Sequence, residues 1–424
     1  MTVRVLLITA LSLLVAACQQ DRVEPPRNFT GFFAFDIPTT GLCEGLPRVD
    51  VMATADRIQC IGLIDRQLKF PRGVAVIESD ILVVDKGSNL GERNDRRGSV
   101  FLYSARADGT GYLKRQLVDG LDQPSGIAVW GGREKYIFVS TRNQVLRFVL
   151  GEGVAQAEVV IDQIPTHGWH YLTGIHISGN WLYLTVPSAT DHCETGIHDV
   201  AFPCREGDLD TPVEEQTALV RRYRIYPSGD VSAEFEVIAR GLRDALAVVS
   251  DTERGLVYAA DNGWDQINLD GSTYEYEVTP PDELNVVSLQ NTQTPHFGWP
   301  YCFGRSLLSP PYEGNEIDCD EFVAPVAALP AHSAPLGITL VGRSVWLNLH
   351  GFNPKGRRTV RIPLDEDGMP EGDVEEMIHW DFGREHGFGF GRPFGIASYS
   401  DGALVVTDDW NHALLKVVLK SDMP

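Results

Sequence analysis

The stretch PTHGWHYLTGIHISGNWLYLTVPSATDHCE (residues 165–194) sets three histidines, His167, His170 and His176, among polar turns. Histidine gains and loses its proton near neutral pH, so it is the natural general base for pulling a proton off a hydroxyl. Alternation along a strand would bury His176 as a packing residue, which leaves His167 and His170 as candidates. After His170 the run Thr173–Ile177 meets a polar turn, Ser178-Gly179-Asn180. Trp181–Val186 follows, and its β-branched and aromatic content favours a pleated strand.

This strand, turn, strand unit recurs. Similar units begin at Phe70 (FPRGVAVIESDILVVDKGS), Gln123, Gly241, Ala334 and Gly391. With the opening stretch they make six. Each has a small residue leading into a short apolar strand, a turn of Gly, Asp or Ser, a second apolar strand and polar residues where it ends. Units that repeat every few tens of residues cannot bury their apolar faces alone and must stack. The pattern predicts an all-β, six-bladed β-propeller of four-stranded antiparallel blades, over about 70–120, 121–165, 166–240, 241–330, 331–388 and 389–424. The last blade is incomplete unless a strand from 29–69, such as Gln59–Ile64, closes the ring and removes an exposed sheet edge. Irregular pieces at 187–218, 265–281 and 303–322 read as rim loops, where functional groups collect.

Composition agrees. Of 424 residues, 43% are hydrophobic and 22% charged, enough for one large core, and 41 Gly with 25 Pro suit a turn-rich fold. The formal net charge of −22 argues against nucleic acid as a partner. The acidic run 365–376 reads as a solvated loop rather than a calcium site, as does the charged stretch Glu92–Arg97. Residues 1–17 read as a leader, with Arg4 before an apolar run too short to be a membrane span. Val15-Ala16-Ala17-Cys18 resembles a lipoprotein processing box. It implies lipidation at Cys18, a tether over 18–28, and one propeller domain over 29–424. The protein is therefore expected to be exported to the periplasmic side and held to the membrane by a lipid anchor alone, with Gln19 matching outer-membrane sorting. The six remaining cysteines form near pairs, Cys43 with Cys60, Cys193 with Cys204, and Cys302 with Cys319; an even number in an exported chain supports disulfides, and proximity favours these pairings over the others possible.

Several motifs, in order, resemble the PQQ-dependent glucose/sorbosone dehydrogenase family of six-bladed propellers. They are His170-Tyr171-Leu172-Thr173-Gly174, Gly241-Leu242-Arg243, Pro281-Asp282-Glu283-Leu284-Asn285, Phe297–Cys302, His332–Gly337, His350-Gly351 and Gly391-Arg392-Pro393. The resemblance implies oxidation of a sugar alcohol or aldose hemiacetal, with hydride transfer to PQQ, Ca2+ as second cofactor and an external electron acceptor. It implies His170 as base and Arg243 as donor to the developing alkoxide. Arg392 would anchor a cofactor carboxylate, with Asp244, His332, His350, Lys355 and Arg357 around the same rim. Calcium would lie near the backbone of Gly263 and Trp264, or on Asp282 and Glu283.

The chain departs from that family pattern twice. Asp244 stands where the family has asparagine, and Phe352–Arg358 replaces its serine, tryptophan, asparagine and arginine series. Asp408-Asp409 could cap a turn or approach the rim. The competing readings are a non-catalytic propeller lipoprotein that binds carbohydrate or protein, and a lactonase-like hydrolase. The particular sugar and the oligomeric state are not legible in the sequence.

Overall fold

The computed structural model describes residues 37–88, 97–151, 153, 155–196, 199–265, 279–382 and 389–420. The leader 1–17, Cys18, the tether and most of the Glu92–Arg97 stretch lie outside them. Six antiparallel sheets form six blades around a central axis. The innermost strands are Pro71–Ile77, Ile127–Trp130, Ile175–Ser178, Ala247–Asp251, Pro335–Leu340 and Pro393–Ser398. Together they line an axial cavity of about 270 Å³.

Each innermost strand pairs with a second strand that is buried on both faces. Asp80–Asp85, Trp181–Val186, Leu256–Asp261, Ser344–Leu349 and Leu404–Asp408 are almost wholly buried, which accounts for their near-continuous apolar runs. Alternate side chains of one blade pack on the next. Tyr258 and Leu284 of blade 4 meet Leu347 and Ile362 of blade 5, and Phe138 of blade 2 meets Leu184 of blade 3.

The ring closes as expected. Ile58–Asp65 becomes the outer partner of the last strand, Ala413–Leu419, with Val417 opposite Ile61. Two further strands, Leu46–Val49 and Thr39–Cys43, extend that sheet to six. The short strand Ala53–Thr54 adds to blade 5 through Ile378 and His379. N-terminal chain therefore ties blades 5 and 6 together. Cys43–Cys60 staples that closure, while Cys193–Cys204 and Cys302–Cys319 staple the loops inserted into blades 3 and 4. All three pairings are those favoured by proximity.

Candidate functional site

The innermost strands all start at one rim, and three repeated aspartates shape it. In blades 1, 4 and 6 the second strand ends on Asp85, Asp261 and Asp408. Each carboxylate accepts backbone N–H groups from the segment leading into its own innermost strand. Asp85 takes Lys69 N and Phe70 N, both at 2.7 Å. Asp261 takes Arg243 N at 2.8 Å and Asp244 N at 2.7 Å. Asp408 takes Arg392 N at 3.0 Å. Burial pushes Asp261 up to about 7 and Asp408 up to about 6, against the pull of these donors. The same device thus fixes the backbone of both Arg243 and Arg392.

His170 stands on the rim in blade 3. Its Nδ1 lies 3.0 Å from both the carbonyl oxygen and Oγ of Ser188. The Ser188 hydroxyl donates to Thr190 O at 2.6 Å, and a carbonyl can only accept. The proton therefore belongs on Nδ1, which leaves the Nε2 lone pair as the basic site. Burial lowers the His170 pKa and Arg243 lowers it further, against Asp244 and Asp191. The ring is neutral near pH 7.

Arg243 is 3% exposed and held on several sides. Its Nε donates to Asp191 Oδ1 at 2.7 Å, and Nη2 donates to the same oxygen. Nη2 also reaches Asp265 at 3.1 Å, and Nη1 reaches Asn262 O at 3.3 Å. Asp244 accepts from Asn262 Nδ2 at 2.9 Å. Burial alone would lower the arginine's pKa, yet Asp191, Asp265 and Asp244 hold it above the usual value. Burial would likewise raise the Asp191 carboxyl, but Arg243 and His192 keep it low.

A second cluster comes from blades 1, 5 and 6. Asp409 Oδ2 lies 3.2 Å from Arg72 Nη1 and 2.8 Å from His350 Nε2. Arg392 Nη1 is 3.4 Å from both carboxylate oxygens, and its Nε donates to His350 O at 3.1 Å. Arg72 is sandwiched between the rings of Phe70 and Phe394, at 4.4 and 4.3 Å, and Arg392 stacks on Phe352 at 3.8 Å. Burial pushes Arg392 down to about 10 and His350 down to about 3. Burial would raise Asp409, but His350, Arg392 and Arg72 hold it well below the usual carboxylate range. With His350 neutral, the guanidiniums of Arg72 and Arg392 share the Asp409 carboxylate, and Asp408 adds a second negative charge beside Arg392. Arg72 Nε is buried and has no hydrogen bond among the described residues. Burial lowers the Arg72 pKa, against Asp409 and Tyr171, the neighbour of His170 in sequence.

The remaining expected residues fall in three groups. His332 is half-buried, and its carbonyl accepts from Asn353 Nδ2 at 2.9 Å. Lys355 N donates to Asn353 Oδ1 at 3.0 Å. Arg357 turns back on its own loop, donating to Phe352 O and stacking on Phe390 at 3.8 Å; its guanidinium pins the loop that replaces the family's series.

The expected calcium ligands are not brought together. Adjacent residues of a strand point to opposite faces. Asp282 accepts from Gly263 N at 2.7 Å, Ser333 Oγ at 2.9 Å and Ala334 N at 2.7 Å, whereas Glu283 accepts from Gly304 N at 2.6 Å. Asp282 thus joins blade 4 to blade 5. Burial pushes it up to about 6 and Glu283 up to about 8. The cavity beside Gly263, Trp264 and Glu283 holds about 20 Å³ and is also lined by Arg243. That is room for about one water, and a cation there would face a guanidinium.

Sequence reasoning passed over Arg72, Ser188 and Asp191, and it left Asp409 between a turn cap and an approach to the rim, the second of which the structure shows. Arg72 had a signal: Phe70-Pro71-Arg72-Gly73 places an arginine at the start of blade 1 as Gly391-Arg392-Pro393 does in blade 6. Asp191 sits in an insertion with no counterpart in the other blades, so repetition could not reveal it.

Among solved structures, the calcium structure of Trichoderma reesei Carbohydrate-Active Enzymes Family AA12 is similar at 19% identity. It covers 88% of this chain and 99% of that one, with a TM-score of 0.70. The soluble aldose sugar dehydrogenase of Escherichia coli is 15% identical, covering 85% and 99%, with a TM-score of 0.54. At these identities the likeness is one of fold, the six-bladed propeller. An uncharacterized protein of Borreliella burgdorferi is 26% identical over 195 residues, which are 43% of this chain and 48% of that protein, so the match spans about half the relative's length. The resemblance to PQQ-dependent glucose/sorbosone dehydrogenases, and the lipoprotein reading joined to it, are corrected by the family model that does match. That model is TrAA12-like and covers residues 203–419, the half of the chain that carries Arg243, Arg392 and Asp409. The short motifs that suggested the other family lie at strand starts and on the rim of this ring, and the chain belongs to the TrAA12-like family.

Proposed function

We propose that this protein oxidises a hydroxyl-bearing carbon of a small sugar, an alcohol or a hemiacetal, with His170 as general base and PQQ as cofactor. The observation that carries this reading is the pairing of a tautomer-fixed, neutral His170 with two buried guanidiniums, Arg72 and Arg392, on the same rim. His170 Nε2 takes the hydroxyl proton, while Nδ1–H stays anchored on Ser188 and keeps the ring aimed. Arg243, held by Asp191, keeps its positive charge behind that site, where an oxygen gains negative charge as its proton leaves.

PQQ fits the second cluster on this chain's own chemistry. Arg72 Nε is a buried donor without a hydrogen bond among the described residues, and with Arg392 it offers two guanidiniums to an anionic ligand. Arg72 and Arg392 would hold its carboxylates. When bound, PQQ supplies an electron-poor ortho-quinone that accepts the hydride and passes electrons to an external acceptor. Asp282 and Glu283 face apart, so of the two expected calcium positions the one on this carboxylate pair is not assembled by these side chains. The sugar is supported by the carbohydrate-active and aldose-dehydrogenase structures that share the fold, and three disulfides support an oxidising, extracytoplasmic compartment.

The test is reconstitution of the full chain with PQQ, with and without Ca2+. Stoichiometric perturbation of the PQQ absorption spectrum and sugar-dependent dye reduction are expected. Absence of PQQ binding, together with saturable binding of a glycan, would make the protein a carbohydrate-binding propeller instead.

A further inference from the structure

The loop Asp191-His192-Cys193-Glu194 holds three metal-ligating groups that the proposed oxidation does not use as ligands. His192 Nδ1 lies 3.3 Å from Asp191 Oδ2 and 3.2 Å from Glu194 Oε1, and one ligand atom from each residue falls within 4.8 Å of the others. Asp191 and His192 are 2% and 3% exposed. Arg243 occupies Asp191 Oδ1, but Oδ2 is buried and takes no hydrogen bond. A buried carboxylate oxygen in that state is costly and invites a partner.

The spacing suits a metal ion. Bonds of about 2.0–2.2 Å to imidazole nitrogen and carboxylate oxygen put neighbouring ligand atoms about 3–3.5 Å apart around a tetrahedral or octahedral ion. The charge balance agrees, since Asp191, Asp265 and Asp244 surround the single guanidinium of Arg243, and Glu194 adds a further carboxylate to the loop. The loop is already shaped by fixed partners. Trp299 Nε1 donates to Asp191 O at 3.1 Å, Tyr312 Oη donates to His192 O at 2.9 Å, and Cys193 is tied to Cys204. Glu194, whose side chain is 23% exposed, gives water a route to any remaining coordination position.

We infer that Asp191, His192 and Glu194 bind one divalent first-row ion that accepts mixed imidazole and carboxylate ligands, Zn2+ or Mn2+, which fixes the rim loop behind Arg243. An imidazole nitrogen among the ligands disfavours Ca2+, which takes oxygen donors at about 2.3–2.6 Å. The ion would act on the rim by holding Asp191, so this is a positioning site. It does not rest on the oxidation reading, and its test needs neither PQQ nor sugar.

The full chain, stripped with a chelator, is dialysed against Zn2+, Mn2+ or Ca2+ and its metal content measured, with thermal unfolding followed in parallel. One equivalent of Zn2+ or Mn2+ and a raised Tm are expected. In His192→Ala and Glu194→Gln the affinity should fall by at least the roughly 10–100-fold typical of lost supporting partners. His192 packs on Trp264 with ring centroids 4.8 Å apart; should His192→Ala fail to fold, Glu194→Gln at the more open edge carries the test. No stoichiometric Zn2+ or Mn2+ in the native sequence, undiminished binding in the folded variants, or Ca2+ displacing Zn2+ at equal concentration would each overturn the assignment.

Discussion

The two sides of the propeller mouth are built on one backbone plan and carry different electrostatics. In blades 4 and 6 a strand-terminal aspartate, Asp261 or Asp408, receives the amide of the arginine that starts the innermost strand. From there they diverge. Arg243 meets Asp191, Asp265 and Asp244, an acidic surplus. Arg392 and Arg72 share Asp409, with Asp408 beside Arg392, so two guanidiniums meet two carboxylates. A repeat thus supplies rigid positions, and the loops decide which charge each position faces. The acidic side keeps His170 beside a firmly charged Arg243, suited to moving a proton; the side with two guanidiniums is suited to holding an anion.

That division can be broken one side at a time. The largest effect is expected from His170→Ala, which should lower the rate of the chemical step by roughly 10²–10⁴-fold while PQQ affinity stays within a few-fold, as read by single-turnover kinetics and cofactor titration. Arg392→Met should do the reverse, abolishing measurable PQQ binding. It should also destabilise the fold by several kcal/mol, about the 3–5 kcal/mol that follows loss of one partner from a buried ion pair, measured by chemical denaturation. Equal effects of both variants on binding and on rate would erase the distinction between the two sides.

Asp191→Asn comes next. It weakens the hold on Arg243, and a loss of roughly 10–100-fold in kcat, about 1.4–2.7 kcal/mol of barrier, is expected. The pH profile sharpens the same side. His170 is depressed by burial and by Arg243, and only its neutral form accepts a proton. Activity should therefore hold as pH falls through 6.5, the ordinary histidine value, and be lost only below it; an acid limb above 6.5 would contradict the assigned base. The smallest effect belongs to Ser188→Ala, because the Ser188 carbonyl still accepts from Nδ1. A loss of only a few-fold in kcat is expected, the scale of one net hydrogen bond of about 1 kcal/mol.

The fold was legible because each blade repeats its pattern. Phe70, Gln123, Thr173, Gly241, Ala334 and Gly391 all mark the approach to an innermost strand, and Ile58–Asp65 had the apolar content of a missing outer strand. The cysteines paired as nearest neighbours because each pair staples a local loop. The site was legible only where a residue sat on the repeat. His170, Arg243, His350 and Arg392 do reach the rim. Asp191 and Ser188 lie on a long insertion whose path depends on a disulfide and on Trp299 and Tyr312 from another blade, contacts distant in sequence. The calcium set failed for a local reason, since Asp282 and Glu283 are adjacent on one strand and alternation turns them apart. Family membership was misjudged because strand-start and rim motifs belong to the architecture more than to one family.

The most direct test of the central claim follows reduction of bound PQQ by sugar in a single turnover, in the native sequence and in His170→Ala, after each has been loaded with cofactor to the same occupancy. The account predicts equal loading and rapid reduction in the native sequence, with reduction nearly absent in the variant. Equal reduction rates in the two would show that His170 is not the base and that the paired clusters do not divide the work as described.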